Sequence, residues 1–166
     1  MSYPPVAGWT PPSAQQRKAI LDRAKTVAIV GASAKPSRAS NFVLTYLKSS
    51  ECDYDLYPIN PSESEILGID VYPDLSSVPN PIDVVDVFRN ADDCPEVARQ
   101  AAAVGAKVLW LQLGVWSVEA AEIALAAGME LVMDRCTKIE HARFAGGLHL
   151  AGFNTGVISS RRAGTV

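Results

Sequence analysis

Residues 26–40 read TVAIVGASAKPSRAS, and this segment determines the fold class expected for the 166-residue chain. Its first five residues, Thr26 to Val30, form a short, apolar, β-branched run, which predicts a buried strand. Gly31 to Ala39 is a polar loop, and Asn41 to Ser49 then carries the apolar residues of a helix. A buried strand, a loop and a helix in this order are typical of one unit of a parallel α/β sheet.

The same alternation continues on both sides of this segment. Ser13 can cap a helix that runs to about Ala24 before the first strand. The remaining strands are predicted at 53–59, 83–88, 107–111 and 130–133, and the remaining helices at 94–104, 118–127 and, shorter, 137–141; residues 66–74 form a connection with room for one small strand. Four of the five strands are nearly continuous apolar runs, as in sheets covered on both faces. We therefore predict a Rossmann-like, doubly wound, parallel five-stranded sheet with helices on both faces.

The composition indicates one globular domain. Hydrophobic residues make up 48% and charged residues 20% of the chain, and its length suits a single core. We divide it into a Pro-rich N-terminal arm at 1–12, a domain at 13–145 and a C-terminal tail at 146–166. The net charge of −3 argues against broad binding to nucleic acids or anionic membranes.

The expected location is the cytoplasm. Residues 1–13 lack the apolar core of a secretory signal, and no apolar run reaches membrane-spanning length. The three cysteines, Cys52, Cys94 and Cys136, are far apart and form no CxxC pair. This pattern excludes a disulfide framework and argues against a structural zinc site.

Ligands of such sheets bind beyond the carboxyl ends of the strands, where the strand order reverses. The loop after the first strand, residues 31–40, is the best candidate. It begins with Gly31, which permits a tight turn, and supplies hydroxyl groups and positive charges from Ser33, Lys35, Ser37, Arg38 and Ser40. The helix that follows offers free N–H groups. Together these groups suit a pyrophosphate, although the loop matches neither the dinucleotide fingerprint nor the Walker A motif.

The second and third strand ends are more ambiguous. Asn60 and Pro61 stand where NAD-binding proteins carry an acidic residue; they either border a ribose or adenine, or simply end the strand. Phe88 either covers an adenine or belongs to the core. Arg89 either meets a phosphate or pairs with Asp86 or Asp92, and Asp86 needs a partner if it is buried.

The last two strand ends add a polar amide and a thiol. Gln112 and Gly114 follow the fourth strand, where Gln112 meets the predicted crevice and Gly114 permits close backbone approach. Asp134, Arg135 and Cys136 follow the fifth strand. Either Arg135 lowers the pKa of a reactive Cys136 thiol, or Cys136 is a buried small apolar residue, which is the more common case for a cysteine. Cys136 and His141 are a conceivable nucleophile pair, but a five-residue spacing on a helix separates them. No catalytic set of residues emerges from the sequence.

Taken together, these motifs resemble the stand-alone CoA-binding domain proteins, which are similar to the CoA-binding domain of the succinyl-CoA synthetase α subunit. The resemblance covers about residues 13–144. It rests on the order and spacing of five motifs: Gly31-Ala32-Ser33 with Pro36, Arg38 and Ser40; Pro58-Ile-Asn-Pro61; Asp83-Val-Val-Asp-Val-Phe-Arg89; Lys107-Val-Leu-Trp-Leu-Gln-Leu-Gly114; and Met133-Asp-Arg-Cys136.

The resemblance implies a Rossmann-like fold with coenzyme A laid across the strand ends. The loop at 31–40 would hold the ADP phosphates with Lys35 and Arg38 as cationic partners. Asn60 and Pro61 would border the nucleotide, Phe88 and Arg89 would flank it, and Gln112 and Gly114 would lie beside the pantetheine arm. The extra ribose phosphate of CoA agrees with the missing acidic residue after the second strand.

The function predicted from these residues is binding of CoA or an acyl-CoA by a non-catalytic carrier or sensor module. The chain has no room for the second domain that carries the synthetase's catalytic histidine. The alternatives are a redox sensor, in which CoA forms a mixed disulfide with Cys136, and an NAD(P)-binding enzyme or nucleotide sensor. A homodimer, or a protein partner that contacts the arm or the tail, is also possible.

Overall fold

The computed structural model describes residues 2–49 and 52–145, so the predicted tail at 146–166 lies outside the described residues. The described residues form seven strands: β1 (Thr26–Val30), β2 (Asp55–Ile59), β3 (Glu65–Ile66), β4 (Ile69–Asp70), β5 (Val84–Val87), β6 (Val108–Leu111) and β7 (Glu130–Val132). The same residues form five α-helices: α1 (Ala14–Arg23), α2 (Ala39–Leu47), α3 (Cys94–Ala103), α4 (Val118–Ala126) and α5 (Thr137–Ala145).

The main sheet has the order β2-β1-β5-β6-β7, and all of its neighbouring strands are parallel. The chain adds β2 on one side of β1 and then continues with β5 on the other side. The strand order therefore reverses between β1 and β5, and a crevice opens there at the carboxyl ends of the strands. The Rossmann-like five-stranded sheet predicted from the sequence is confirmed.

Helices cover both faces of this sheet because alternate strand residues point to opposite sides. One core contains Ala28, Val85 and Leu109 with the apolar faces of α3 and α4, and the other contains Ile29 and Trp110 with those of α1 and α2. Helix α5 packs against α1 and α2. Every residue of β1, β5 and β6 is buried, as their nearly continuous apolar sequences predict.

The N-terminal arm packs on its own chain, although the sequence suggested an extended segment available to another one. The Tyr3 ring stacks on Trp116 with ring centroids 4.6 Å apart, and Trp9 meets the same indole edge-on at 5.7 Å. The Trp116 indole N–H also donates to the carbonyl of Pro4 (2.9 Å), and Val6 is buried in the core. These contacts hold the arm beside the loop that follows β6.

Two local differences from the sequence prediction concern the connection after β2 and the end of α5. The connection at 66–74 contains a small antiparallel pair, β3 and β4, instead of a single strand. Helix α5 extends to Ala145 instead of ending near His141. It is anchored to α1 by a buried ion pair in which Arg17 Nε donates to Glu140 Oε1, and such a tertiary contact outweighs weak helix propensity. No helix in the described part of the chain is long and apolar enough to cross a membrane.

Candidate functional site

A pocket of about 560 Å³ lies at the carboxyl ends of β1, β2, β5 and β6. It is centred on the point where the strand order reverses, which is where sheets of this type bind ligands. Eleven of the fourteen residues that the sequence marked as binding residues line it: Gly31, Ala32, Ser33, Lys35, Arg38, Ser40, Asn60, Pro61, Phe88, Arg89 and Gln112. The parallel fold brings them together because all of them follow the ends of strands.

Gly31 allows the β1 and β5 ends to approach each other. Its φ of +85° lies in the left-handed region, which a side chain makes unfavourable. A Cβ atom at this position would stand 2.5 Å from the backbone carbonyl oxygen of Phe88 and 3.0 Å from Arg89 Cδ. Only glycine fits this position without moving the backbone.

The loop after Gly31 is held in a defined shape. The Ser33 hydroxyl accepts a hydrogen bond from the backbone N–H of Lys35 (3.1 Å), and Asn41 Nδ2 donates to the Ser33 carbonyl (3.0 Å). Helix α2 begins at Ala39, and the residue that precedes it, Arg38, makes no side-chain capping bond. The N-terminus of α2 therefore presents backbone N–H groups and positive dipole charge beside the pocket.

All charged side chains that line the pocket are positive. Lys35, Arg38 and Arg89 line it, and no Asp or Glu of the described residues does so. Lys35 and Arg38 take part in none of the ion pairs found in the described part of the chain. Arg89 pairs with Asp93 at 3.2 Å, and not with Asp86 or Asp92 as the sequence suggested. This lining suits an anionic ligand.

Asn60 forms a turn at the end of its strand and also lines the pocket. Its Oδ1 accepts from the Ser62 backbone N–H (2.7 Å), which forms a turn, and its Nδ2 donates to the Ala32 carbonyl (2.8 Å). The side chain thus ties the loop after β2 to the loop after β1, while Asn60 also lines the pocket. Phe88 also has two environments: part of its side chain packs against the core, and it lines the pocket as well.

Behind the pocket wall lies a buried polar group of three residues, which we call the Asp86 cluster: Asp86, Gln112 and Thr137. Asp86 is fully buried and accepts hydrogen bonds from Gln112 Nε2 and from Thr137 Oγ1 (2.8 Å). Gln112 Nε2 also donates to Thr137 Oγ1 (3.0 Å). Burial raises the pKa of Asp86 to about 7, against the opposing effect of the bonds from Gln112 and Thr137.

The sequence analysis anticipated that a buried Asp86 would need a partner, but it missed Thr137. The only signals were an acid inside one apolar strand and an amide at the end of another. The sequence also missed five further lining residues: Ala39, Ile59, Asn90, Leu113 and Val115. Each directly follows or precedes a residue that was named, so their positions along the chain were the available signal.

Three of the predicted residues do not line the pocket: Pro36, Gly114 and Cys136. Gly114 has a φ of +82°, and its N–H donates to Asp134 Oδ1 at 2.7 Å, so it shapes the turn after β6. Cys136 is partly buried against the core. Burial raises the pKa of its thiol, so the expectation that Arg135 lowers that pKa is wrong.

Cys136 does not pair with His141 either. The His141 ring instead accepts or donates a hydrogen bond at Nδ1 with the Tyr46 hydroxyl (2.9 Å) and lies 3.8 Å from the Cys52 sulfur. Burial lowers the pKa of His141. Within residues 2–49 and 52–145, no group of His, Cys, Asp and Glu residues could hold a metal ion.

Comparison with known proteins agrees with this architecture. The family model described as "CoA binding domain" matches residues 25–142. The "Uncharacterized protein YneT" of Bacillus subtilis (strain 168) is 36% identical over 131 residues, which cover 79% of this chain and 96% of that protein. A solved structure, "hypothetical protein from Pyrococcus horikoshii OT3", is 39% identical with a TM-score of 0.76, covering 88% of this chain and 100% of the other.

A larger relative is an enzyme. The "Acetate--CoA ligase [ADP-forming] II" of Archaeoglobus fulgidus is 30% identical over 83 residues, which are 50% of this chain but only 12% of the ligase. The similarity thus concerns one segment of a much longer protein. The match over residues 25–142 includes all four strand ends around the pocket. This chain is a member of the CoA-binding domain family.

Proposed function

We propose that this chain binds CoA or an acyl-CoA in the pocket at the carboxyl ends of β1, β2, β5 and β6. The observation that carries the proposal is the charge of the pocket. In a protein with a net charge of −3, the pocket is lined by Lys35, Arg38 and Arg89 and by no carboxylate of the described residues. A ligand with several phosphate groups matches such a site.

The pyrophosphate of CoA fits the loop after β1. Gly31, with its positive φ, turns the chain at the end of β1, and the start of α2 supplies N–H groups. Lys35 and Arg38 supply the positive charges on the same loop. The ribose phosphate of CoA would meet an uncharged strand end at Asn60 and Pro61, where an acidic residue would repel it.

The role we propose is that of a carrier or sensor of CoA, without a complete reaction of its own. The similarity to the Archaeoglobus ligase covers 12% of that enzyme, and a shared domain does not carry over a whole enzyme's activity. The pocket lining contains the hydroxyl groups of Ser33 and Ser40, but no His, Asp or Glu of the described residues that would activate them as an adjacent base.

Isothermal titration calorimetry tests the proposal with CoA, acetyl-CoA and NAD as separate ligands. We expect saturable binding of CoA and weaker or no binding of NAD. Arg38→Ala should weaken CoA binding about ten- to a hundredfold, because hydrogen bonds to charged groups contribute about 1.5–3 kcal/mol each. No heat from CoA at millimolar concentration, or NAD binding with which CoA fails to compete, would refute it.

A matched control separates the site from the overall charge. Arg99→Ala removes the same charge from α3, where Arg99 pairs with Glu96 (2.9 Å) on the surface. This substitution should leave the CoA affinity within about twofold at moderate salt, since exposed charges are screened over about 10 Å. Equal losses in the two variants would show that CoA is attracted by net charge and not by the pocket.

A further inference from the structure

The wall of the pocket contains a buried carboxylate that a ligand would not touch. Asp86 is 0% exposed and is absent from the pocket lining. Of its two hydrogen-bond donors, Gln112 lines the pocket and Thr137 does not. The only one of these two donors through which Asp86 can affect the pocket is therefore the Gln112 amide.

The protons of this cluster fix the orientation of that amide. Thr137 has one hydroxyl proton, which it donates to Asp86 Oδ2 at 2.8 Å. Its oxygen can then only accept, and Gln112 Nε2 supplies that bond at 3.0 Å. The reverse orientation would place Gln112 Oε1 against the lone pairs of Thr137 Oγ1 and, above about pH 7 where the carboxyl group is ionised, against those of Asp86, and both would repel it.

The amide oxygen of Gln112, Oε1, faces away from the Asp86 cluster. Both protons of Gln112 Nε2 are used within the Asp86 cluster, while no donor in the described part of the chain reaches Oε1. Among the described residues, no side-chain oxygen or nitrogen that is fully shielded from solvent lacks a partner. Oε1 is therefore accessible to solvent, and the pocket lined by Gln112 is the accessible side.

We propose that Asp86 is a positioning residue that holds Gln112 with its carbonyl oxygen facing the pocket, so that this position selects a hydrogen-bond donor on the ligand. The inference rests on the proposed CoA site and specifies its chemistry. A residue that offers only an acceptor favours a ligand N–H over a carbonyl or phosphate oxygen at the same place.

The strand order indicates which part of CoA would meet this acceptor. The phosphate-binding loop follows β1, whereas Gln112 follows β6, two strands away in the order β1-β5-β6. Neighbouring strands are about 4.8 Å apart, so Gln112 lies roughly 10 Å across the sheet from the β1 end. The part of CoA that extends beyond its pyrophosphate is the pantetheine arm, whose amide N–H groups are the required donors.

The test compares two ligands that differ in this arm. CoA and 3′-phospho-ADP, which keeps the pyrophosphate of CoA and lacks only pantetheine, are titrated calorimetrically at pH 8, where Asp86 is ionised, against the full chain and the Asp86→Leu and Asp86→Asn variants. In Asp86→Leu, CoA should bind about three- to tenfold more weakly while binding of 3′-phospho-ADP is unaffected, because one hydrogen bond to the pantetheine arm is lost. In Asp86→Asn, the ratio of the two affinities should return toward that of the wild type, since the Asn side-chain oxygen still accepts from Gln112.

Controls make the outcomes distinct. Asp83→Asn alters the opposite end of the same strand, where Asp83 accepts hydrogen bonds from the backbone of Lys25 and Thr26 (2.8 and 3.1 Å); it should lower the free energy of unfolding without changing the ratio of the two ligand affinities. Should Asp86→Leu fail to fold, Thr137→Val serves instead. It removes one of the hydrogen bonds that hold Gln112 and should also weaken CoA binding more than binding of the ligand without pantetheine.

Each result has one meaning. Equal losses for both ligands in Asp86→Leu would show a general distortion of the pocket and overturn the positioning role. An unchanged CoA affinity in Asp86→Leu, or no recovery in Asp86→Asn, would overturn it as well. If the wild type binds 3′-phospho-ADP as tightly as CoA, the donor assignment fails while the nucleotide site stands; if it binds neither ligand, the proposed function fails.

Discussion

The buried carboxyl group of Asp86 should make the stability of this protein fall as the pH rises from about 4 to about 7. Its pKa is raised from 3.8 to about 7 because burial disfavours the charged form. Between these two pH values the folded chain holds a proton that the unfolded chain has released. The free energy of unfolding therefore decreases with pH in this window and levels off above about pH 7.

The size of the effect follows from the shift. A difference of about three pKa units at about 1.4 kcal/mol per unit amounts to roughly 4 kcal/mol between pH 4 and pH 8. Asp86→Asn removes this titration, because an amide does not ionise. The difference in unfolding free energy between the two proteins should therefore change by up to about 4 kcal/mol across the window, in the direction that favours the variant at high pH.

Urea unfolding monitored by tryptophan fluorescence, at pH values from 4.5 to 8, measures this difference. His141, whose pKa is lowered by burial, changes stability in the opposite direction below pH 6.5, but it is present in both proteins and cancels. Cys136, whose raised pKa is partly due to Asp86, titrates above the window. A difference between wild type and variant that stays constant within about 0.5 kcal/mol would refute the assignment of a near-neutral pKa to Asp86.

Three further predictions follow from other contacts. Gly31→Ala should lower the melting temperature in a thermal scan and abolish CoA binding, because the added Cβ would lie 2.5 Å from the Phe88 carbonyl oxygen; wild-type affinity would contradict this geometry. Glu140→Ala should cost about 3–5 kcal/mol in urea unfolding, since it leaves Arg17 buried without its partner; a loss below about 1 kcal/mol would contradict it. Treatment with CoA and diamide should leave Cys136 without a CoA adduct in peptide mass mapping, because burial raises the pKa of its thiol and disfavours the reactive thiolate; a stoichiometric adduct there would contradict this and revive the redox alternative.

The strands and the composition of the pocket could be predicted from sequence because both depend on local patterns. A strand covered on two faces must be apolar throughout, as Thr26 to Val30 nearly is, and parallel strands place all their carboxyl ends at one edge. Gly31 and Gln112 could therefore be assigned to one site without knowledge of the strand order. The same logic failed for Cys136, because a residue two or three positions beyond a strand can point into the core as easily as into the crevice.

Contacts between segments distant in sequence could not be predicted. Tyr3 meets Trp116 across more than a hundred residues, and a Pro-rich segment has no periodicity that would indicate where it docks. Thr137 bonds to Asp86 across 51 residues, and nothing in the short polar run around Thr137 indicates a buried partner. In both cases the fold as a whole determines the contact.

The Asp86 cluster also connects the energetics of the fold to the proposed site. The residues paired with Asp86 on the neighbouring strands are Ile29 and Trp110, so an apolar residue at this register would complete the core. Replacement of buried polar groups by apolar ones of similar size is often neutral or stabilising. Strand stability alone therefore does not account for a carboxylate here. Its hydrogen bonds to Gln112 and Thr137 give it a definite effect, the orientation of an amide at the pocket wall, and selective loss of pantetheine recognition in Asp86→Leu would identify that effect as its function.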